Sequence, residues 1–583
     1  MPVDNCQQPD HPHKSKSGDH GGVNIDFRND SSINLEFGEG RVFRLLKNLN
    51  PNKAPGPDGI HGRVLKNCAS SLALPLSLLF TVSYRTGQIP SEWKSADIVP
   101  VFKKGDKKCV ENYRPISLLC IAMKVFERCI RDELTFRCSS MLDKRQHGFL
   151  PRASCTTQMV PFVDSLAVTL NDLSRADVIY FDFAKAFDSV SHDVILHKLK
   201  TQYGIDGILL KFLKSYLEDR IQRVVVGGAH SGSLKVDSGV PQGSILGPTL
   251  FIMFINDMIS QVSAGTNIAL YADDTKIWRK IESWSDHEQL QKDITALHSW
   301  SVTNKMVFHP NKCKVLVITL KHIEPILPFD RFGYHLDGQY LDYVSSEKDL
   351  GVHISSNLHW GNHCKSLVSK ARSRLGLITR TLHYVQNKQQ KRVFYLALVR
   401  SLFEHCCVVW RPHAISDTIG ISMLQKRAVK WILSEQTANY TDSEFLVKQN
   451  NLDLLPLESR MELTDVLLFH QIVYKQVNID LPSYLLLESP ENVRERGTGA
   501  NSIGDHVSTS SNIDQANIIT HRDTLHYKSM VAPKVDSFKY SYFYRVHLVW
   551  NSLPLCVRVT EDHNKFKRLL KEHLWKLLLE KPD

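Results

Sequence analysis

Two apolar runs in the middle of the chain end in acid. Val178-Ile179-Tyr180-Phe181-Asp182-Phe183 shows no polar alternation before its aspartate, which predicts a strand buried on both faces that delivers one carboxylate at its end. The chain then turns through Ala184 to Ser189 into a helix over about 192–203. Further along, Ile268-Ala269-Leu270 leads into Tyr271-Ala272-Asp273-Asp274 and the β-favouring Thr275-Lys276-Ile277-Trp278. That order predicts a tight hairpin with two adjacent carboxylates at its turn.

The surrounding pattern supplies a frame. Val42, Leu45, Leu46 and Leu49 recur at helical spacing until Pro51. Ile98 to Phe102 reads as a strand that runs into Lys103-Lys104-Gly105-Asp106-Lys107-Lys108, and Asn112-Tyr113-Arg114-Pro115-Ile116-Ser117 returns as its partner. Segments 220–226 and 233–237 bracket Gly227-Gly228, a hairpin signal. The polar loop Ser238-Gly239-Val240-Pro241-Gln242-Gly243-Ser244 precedes a helix opened by Leu246-Gly247-Pro248, with Leu250, Phe251, Phe254 and Met258 on its buried side. A helix over about 287–304, a strand pair with Asn311-Lys312 in its turn, and Lys348-Asp349-Leu350-Gly351-Val352 complete this unit.

The character changes after about residue 360. Helices over about 363–381, 389–405 and 421–433 carry Lys365, Lys370, Arg372, Arg374, Lys391, Arg392, Lys426, Arg427 and Lys430 on faces expected to be exposed. Such charge serves either solvation or repeated contacts to the phosphates of a duplex. Residues 484–540 read as a polar linker, and Phe566, Leu569, Leu570, Leu574, Leu577 and Leu578 mark a last amphipathic helix. Residues 1–35 hold too little apolar surface to order and are expected to be a disordered tail.

Composition narrows the class. At 583 residues and 42% hydrophobic, the chain is long enough for three or four packed units. Its net charge of +11 suits a polyanionic partner. Twelve cysteines without a Cys-x-x-Cys pair point to a reducing compartment, with Cys406 and Cys407 read as buried small hydrophobes. Leu72 to Val82 is too short to span a bilayer and contains Pro75, so no membrane partner is expected.

Adjacent carboxylates such as Asp273 and Asp274 repel, and a divalent cation between them relieves the repulsion; ordinary turn chemistry on a solvated loop is the other explanation. Asp182 changes the balance. If its strand neighbours the Asp273-Asp274 hairpin in one antiparallel sheet, the three groups converge and can hold two divalent ions about 3.5–4 Å apart, the arrangement of in-line phosphoryl transfer. Lys103, Lys104 and Arg114 would form a cationic clamp for a triphosphate, or a solvated loop. Lys53-Ala54-Pro55-Gly56-Pro57-Asp58-Gly59 would present backbone N–H groups to phosphates, or connect two elements.

Phe181-Asp182-Phe183-Ala184-Lys185-Ala186-Phe187-Asp188, the loop from Ser238 to Pro248, and Tyr271-Ala272-Asp273-Asp274 resemble motifs A, B and C of reverse transcriptases, in that order and spacing. Lys53 to Gly59, Asn112 to Leu118 and Gln146-His147-Gly148-Phe149 resemble the non-LTR (LINE-type) retrotransposon polymerases of the jockey-like branch. The resemblance runs over about 40–360, with an echo at Trp550-Asn551-Ser552-Leu553-Pro554. It implies an α+β right-hand polymerase with fingers, palm and thumb, an antiparallel palm sheet backed by helices, and a mostly helical C-terminal region. The expected division is an N-terminal extension with fingers over 36–175, a palm over 176–360 with motifs A to E, a basic thumb over 361–440 and a C-terminal region over 441–583; the reverse transcriptase domain itself is expected over about 95–360.

On that resemblance Asp182, Asp273 and Asp274 are catalytic and ligate two Mg²⁺ ions, or Mn²⁺. Phe187 is the steric gate against a ribonucleotide 2′-hydroxyl, Gln242 lines the nucleotide and template side of the pocket, and Lys312 protonates the leaving pyrophosphate. Lys103, Lys104 and Arg114 bind the triphosphate, and Lys365, Lys370, Arg372 and Arg374 bind nucleic acid. Asp188 is structural. The implied partners are an RNA template, a DNA primer and deoxynucleoside triphosphates, met in nucleus and cytoplasm. Two other readings stay open: a catalytically silent retroelement relic that only binds nucleic acid, and an RNA-dependent RNA polymerase, against which the bulk of Phe187 argues. The region before residue 40 is too short for an endonuclease, so the polypeptide is not expected to nick a target by itself.

Overall fold

The computed structural model describes residues 35, 37–320, 333–435, 437, 439–488 and 525–580. Residues 1–34, and with them nearly all of the expected tail, lie outside this set. Nine strands carry the argument: β1 (Ser95–Phe102), β2 (Tyr113–Leu118), β3 (Arg175–Phe181), β4 (Arg220–Val226), β5 (Ala229–His230), β6 (Leu234–Val236), β7 (Thr266–Tyr271), β8 (Asp274–Ile281) and β9 (Lys314–Ile318). They form two sheets. The central one runs β9-β3-β8-β7, with Asp342–Val344 added outside β9, and β3 pairs antiparallel with both β8 and β9. The outer one runs β2-β1-β4-β5, with β6 also on β4.

The central sheet is buried on both faces, as its unbroken apolar strands require. Ile179, Ile277 and Val315 face one core, in which Phe80 stacks on Phe126 at 4.6 Å and Phe126 meets Phe212 edge-on at 5.0 Å. Val178, Trp278 and Leu316 face a second core built on the Cys155–Asn171 helix, which Ser154 and Thr157 start with a reciprocal capping box. Among the described residues no helix is long and apolar enough to cross a membrane.

Four expectations change. The helix expected over 287–304 begins at Trp284, because Ser283 and Asp286 cap it one turn earlier. Asn311 and Lys312 sit in a 3-10 turn (Pro310–Lys312), not in a hairpin turn: both arms flank the same chain, β9 on β3 and Phe308 bridged to Phe183, so the turn is a bulge along one edge. Lys391 is buried, donating to Trp431 O at 3.3 Å and Ser434 Oγ at 2.8 Å, and is not part of an exposed basic face. The linker expected over 484–540 is ordered at both ends, since Leu485–Leu487 pairs antiparallel with Tyr527–Ser529; residues 489–524 are outside the described set.

The region beyond 441 packs onto the reverse side of the Cys155–Asn171 helix. Asn171 receives Lys534 N–H at 2.6 Å and donates to Ala532 O at 3.1 Å. Tyr484 OH donates to Asp164 Oδ1 at 2.7 Å. Burial pushes the Asp164 carboxyl up to about 7, with the Tyr484 hydrogen bond opposing. The native state therefore keeps a proton that the unfolded chain loses near pH 4, and the stability this group adds at low pH is lost as pH rises through about 7. Asp164→Asn keeps the shape and removes the titration. Its melting temperature should fall less than the parent's between about pH 5 and about pH 7.5, and equal pH slopes for the two proteins would contradict this account.

Candidate functional site

Asp182 follows directly on the last residue of β3. Since Phe181 pairs with Thr275, the next step along the ladder sets Asp182 beside Asp274, the first residue of β8. Tyr271 pairs with Asp274, so Ala272 and Asp273 are the two residues of the turn. Period-two alternation then puts Asp182 and Asp274 on one face of the sheet.

Their electrostatics reflect this crowding. Burial raises the Asp273 carboxyl and Asp182 raises it further, while Lys103 and Arg114 pull it down. Asp274 is pushed up to about 6, first by burial and then by Asp273, Asp349 and Asp182. Lys103 and Arg114, at the ends of the β1–β2 hairpin in the outer sheet, are thus near enough to lower Asp273, and Lys104 lies exposed on the same turn. The bulge at Pro310–Lys312 delivers Lys312, whose Nζ is 3.6 Å from Asp182 Oδ2.

Among the described residues, no three carboxylate, imidazole or thiol groups stand close enough to share an ion in this arrangement. The chemistry of the donors still suits a hard cation: burial first, and then the neighbouring carboxylate charges, raise Asp273 and Asp274, and a divalent ion would relieve that charge.

The loop from Ser238 to Ser244 is laced to the outer sheet and to the turn that follows β3. Ser238 Oγ donates to Asp188 O at 2.9 Å, Val240 N to Phe187 O at 2.8 Å, and Gln242 Nε2 to Asp188 Oδ1 at 3.3 Å. Ser117 N of β2 donates to Gln242 O at 2.7 Å. Gly239 and Gly243 are required here, with φ of +88° and +121°, because a Cβ would come within 2.7 Å of Asp188 Cα and 2.5 Å of Ser117 O. Phe187 is half-buried, stacked on Phe251 at 4.3 Å and edge-on to Phe149 at 6.1 Å.

On the Gly361–Thr381 helix, Lys365, Lys370, Arg372 and Arg374 are all exposed. At 3.6 residues per turn Lys365 and Arg372 share one edge of the exposed face and Lys370 and Arg374 the opposite edge, with Ser369 and Ser373 but also the exposed Leu377 and Arg380 between. Two cationic edges with a further cation between them suit contacts to phosphate oxygens.

Sequence reasoning missed two supports. Glu127 is fully buried and accepts from Ile245 N at 2.5 Å and Tyr216 OH at 3.0 Å, holding the start of the helix that follows the loop. Lys276, two residues past Asp274, is buried against Asp349, with Gln158 Oε1 at 3.0 Å and the Phe162 ring at 4.0 Å. Neither had a clear local signal, since Glu127 lies between Lys124 and Arg128 and Lys276 follows Asp273-Asp274-Thr275, so each reads as an ordinary charged position.

Residues 102–397, just over half of the chain, match the family model described as reverse transcriptase (RNA-dependent DNA polymerase), and the chain belongs to that family. The probable RNA-directed DNA polymerase from transposon BS of Drosophila melanogaster is 29% identical over 412 residues, covering 67% of this chain and 44% of the relative. The RNA-directed DNA polymerase from mobile element jockey of Drosophila funebris is 30% identical over 344 residues, covering 57% and 37%. The chain spans less than half the length of these relatives. Telomerase chains from Candida tropicalis and Candida albicans align with TM-scores of 0.33 and 0.34 at 12% and 11% identity, over 49% and 64% of this chain and 59% and 65% of theirs, too distant to add to the assignment.

Lys276→Met leaves Asp349 buried without its cation and should cost about 3–5 kcal/mol in urea unfolding. Combining it with Asp349→Leu should recover most of that loss. A single variant as stable as the parent would show that the pair does not hold this part of the sheet.

Proposed function

We propose that this chain is the polymerase portion of a non-LTR retrotransposon reverse transcriptase, adding deoxynucleotides to a primer 3′-hydroxyl as directed by an RNA template. One observation carries the reading: Asp182, Asp273 and Asp274 lie at adjoining strand ends, near enough to Lys103 and Arg114 for these cations to act on Asp273. These aspartates would hold divalent ions, Mg²⁺ or Mn²⁺, which when bound supply the charge that acidifies the 3′-hydroxyl and offsets the charge on departing pyrophosphate.

The chain's own groups do the rest. Lys103 and Arg114, with Lys104 beside them, bind the triphosphate. Lys312, at the Asp182 carboxylate, is placed to pass a proton to the leaving oxygen. Phe187, fixed by Phe251 and by the loop at Val240, excludes a 2′-hydroxyl. Gln242, oriented by Asp188 and tied to β2, borders the nucleotide and template. The thumb is the helical region 361–440, whose two cationic edges grip the duplex. Such an enzyme works in the cytoplasm, where its RNA is, and in the nucleus, where its target is.

Primer extension on poly-rA/oligo-dT with Mg²⁺ and dTTP tests the reading. The parent should incorporate dTTP and Asp273→Asn should lose about a thousandfold or more. Salt-sensitive duplex binding by both proteins with incorporation by neither would favour the binding-only relic. In the same assay Phe187→Ala should raise ribonucleotide use relative to deoxynucleotide by about tenfold or more, and unchanged selectivity would remove Phe187 from the gate.

A further inference from the structure

The turn that carries Asp273 and Asp274 does not hold its own shape. Ala272 has φ +56°, the left-handed region that side chains other than glycine rarely adopt, and it is buried. Its N–H is the group whose direction that conformation sets, and it donates to Gln146 Oε1 at 3.0 Å. The same oxygen accepts Gly148 N–H at 2.7 Å.

Gln146 is 1% exposed, and its Nε2 has no hydrogen-bond partner among the described residues. Only the acceptor half of its amide is used. The chain around it is fixed to β7 by Leu270 N to Arg145 O at 3.0 Å and His147 N to Leu270 O at 2.9 Å. His147 Nδ1 lies 3.0 Å from Thr157 Oγ1 on the capped Cys155–Asn171 helix, which anchors the other side. Gly148 completes the fit, because a Cβ there would stand 2.4 Å from Ala272 N. The segment is therefore pressed against the turn, with a single side-chain oxygen aimed at the one strained residue in it.

We propose that Gln146 is a positioning residue of the site, its Oε1 fixing the Ala272 N–H and with it the left-handed turn from which Asp273 and Asp274 face Asp182. The proposal rests on the polymerase reading for its effect on rate, but not for its effect on the turn. An acceptor at this position is what the site needs. Gln146→Met keeps the length and loses the acceptor, whereas Gln146→Glu keeps a carboxyl oxygen in the same place.

The test combines hydrogen exchange of the full chain, read by mass spectrometry over peptides covering 266–275, with primer extension at saturating poly-rA/oligo-dT. For Gln146→Met, exchange at the turn should speed up about tenfold while the Gly361–Thr381 helix exchanges as in the parent. The rate at saturating dTTP should fall about tenfold to a hundredfold, with the KM for dTTP changed less than about threefold. Gln146→Glu should return the exchange at the turn to within about threefold of the parent, while its added charge beside Asp273 makes its rate no test of the brace. Unchanged exchange in Gln146→Met, or exchange as fast in Gln146→Glu as in Gln146→Met, overturns the proposal. If Gln146→Met does not fold, Gly148→Ala probes the brace from the other side by displacing the Ala272 amide, and parent-like exchange and rate in that variant overturn the proposal equally. A parent that incorporates no dTTP overturns the polymerase reading instead, and the exchange comparison then judges the brace alone.

Discussion

Three carboxylates held at the ends of two paired strands repel one another, and the antiparallel ladder between β3 and β8 is what keeps them together. Its register is fixed from both sides. Ile179 and Ile277 enter one core while Val178 and Trp278 enter the other, so a slip of one residue would carry Lys276 into the apolar layer that Ile277 occupies. Packing far from the site thus decides that Asp182 lies beside Asp274. The repulsion is a local cost borne by a sheet whose two faces are both fully committed.

The neighbours of the carboxylates answer that cost with cations from separate parts of the chain. Lys103 and Arg114 come from the β1–β2 hairpin, Lys312 from a bulge along the β3 edge, and Lys276 from within β8 itself. They differ in what they can do. Lys276 is buried and committed to Asp349, so it stabilises the sheet and cannot leave. Lys103 and Arg114 are exposed, and Lys312, more than half exposed, stands 3.6 Å from Asp182 Oδ2. Burial therefore separates the cation locked into the sheet from those left accessible beside the carboxylates.

The elements carrying the site were legible because each has a strong local signature. An unbroken apolar run ending in Asp182, and a hairpin turn at Ala272-Asp273, need nothing distant to be recognised, and the β1–β2 hairpin around its lysines is equally local. What was not legible depends on partners remote in sequence. Lys391 reads as one more exposed base until Trp431 and Ser434 are seen to close over it. Glu127 acquires meaning only from Ile245 and Tyr216. Asn311-Lys312 looks like a hairpin turn because local pattern cannot say that both arms pair along the same chain, β3 and its extension to Phe183. The polar composition of 484–540 likewise hid the pairing of Leu485–Leu487 with Tyr527–Ser529, since three-residue strands carry too little pattern to register.

The same limit applies to the region beyond 441, whose partners in the fold no local pattern in the sequence indicates. Asp465 is buried between Arg411 and Arg545, receiving both at 3.0 Å, and so ties the helices after 400 to the helix at Tyr542–Ser552. Asp164 and Asn171 join that assembly to the Cys155–Asn171 helix, whose other side supports Trp278 of β8 through Phe162 at 4.8 Å. The core runs without a break from the carboxylate-bearing sheet through Trp410 to Trp550 and Phe566. A sheet that must hold like charges together gains from being backed by more apolar surface than a palm and its helices alone would supply. The C-terminal region therefore contributes to the carboxylate-bearing sheet through stability.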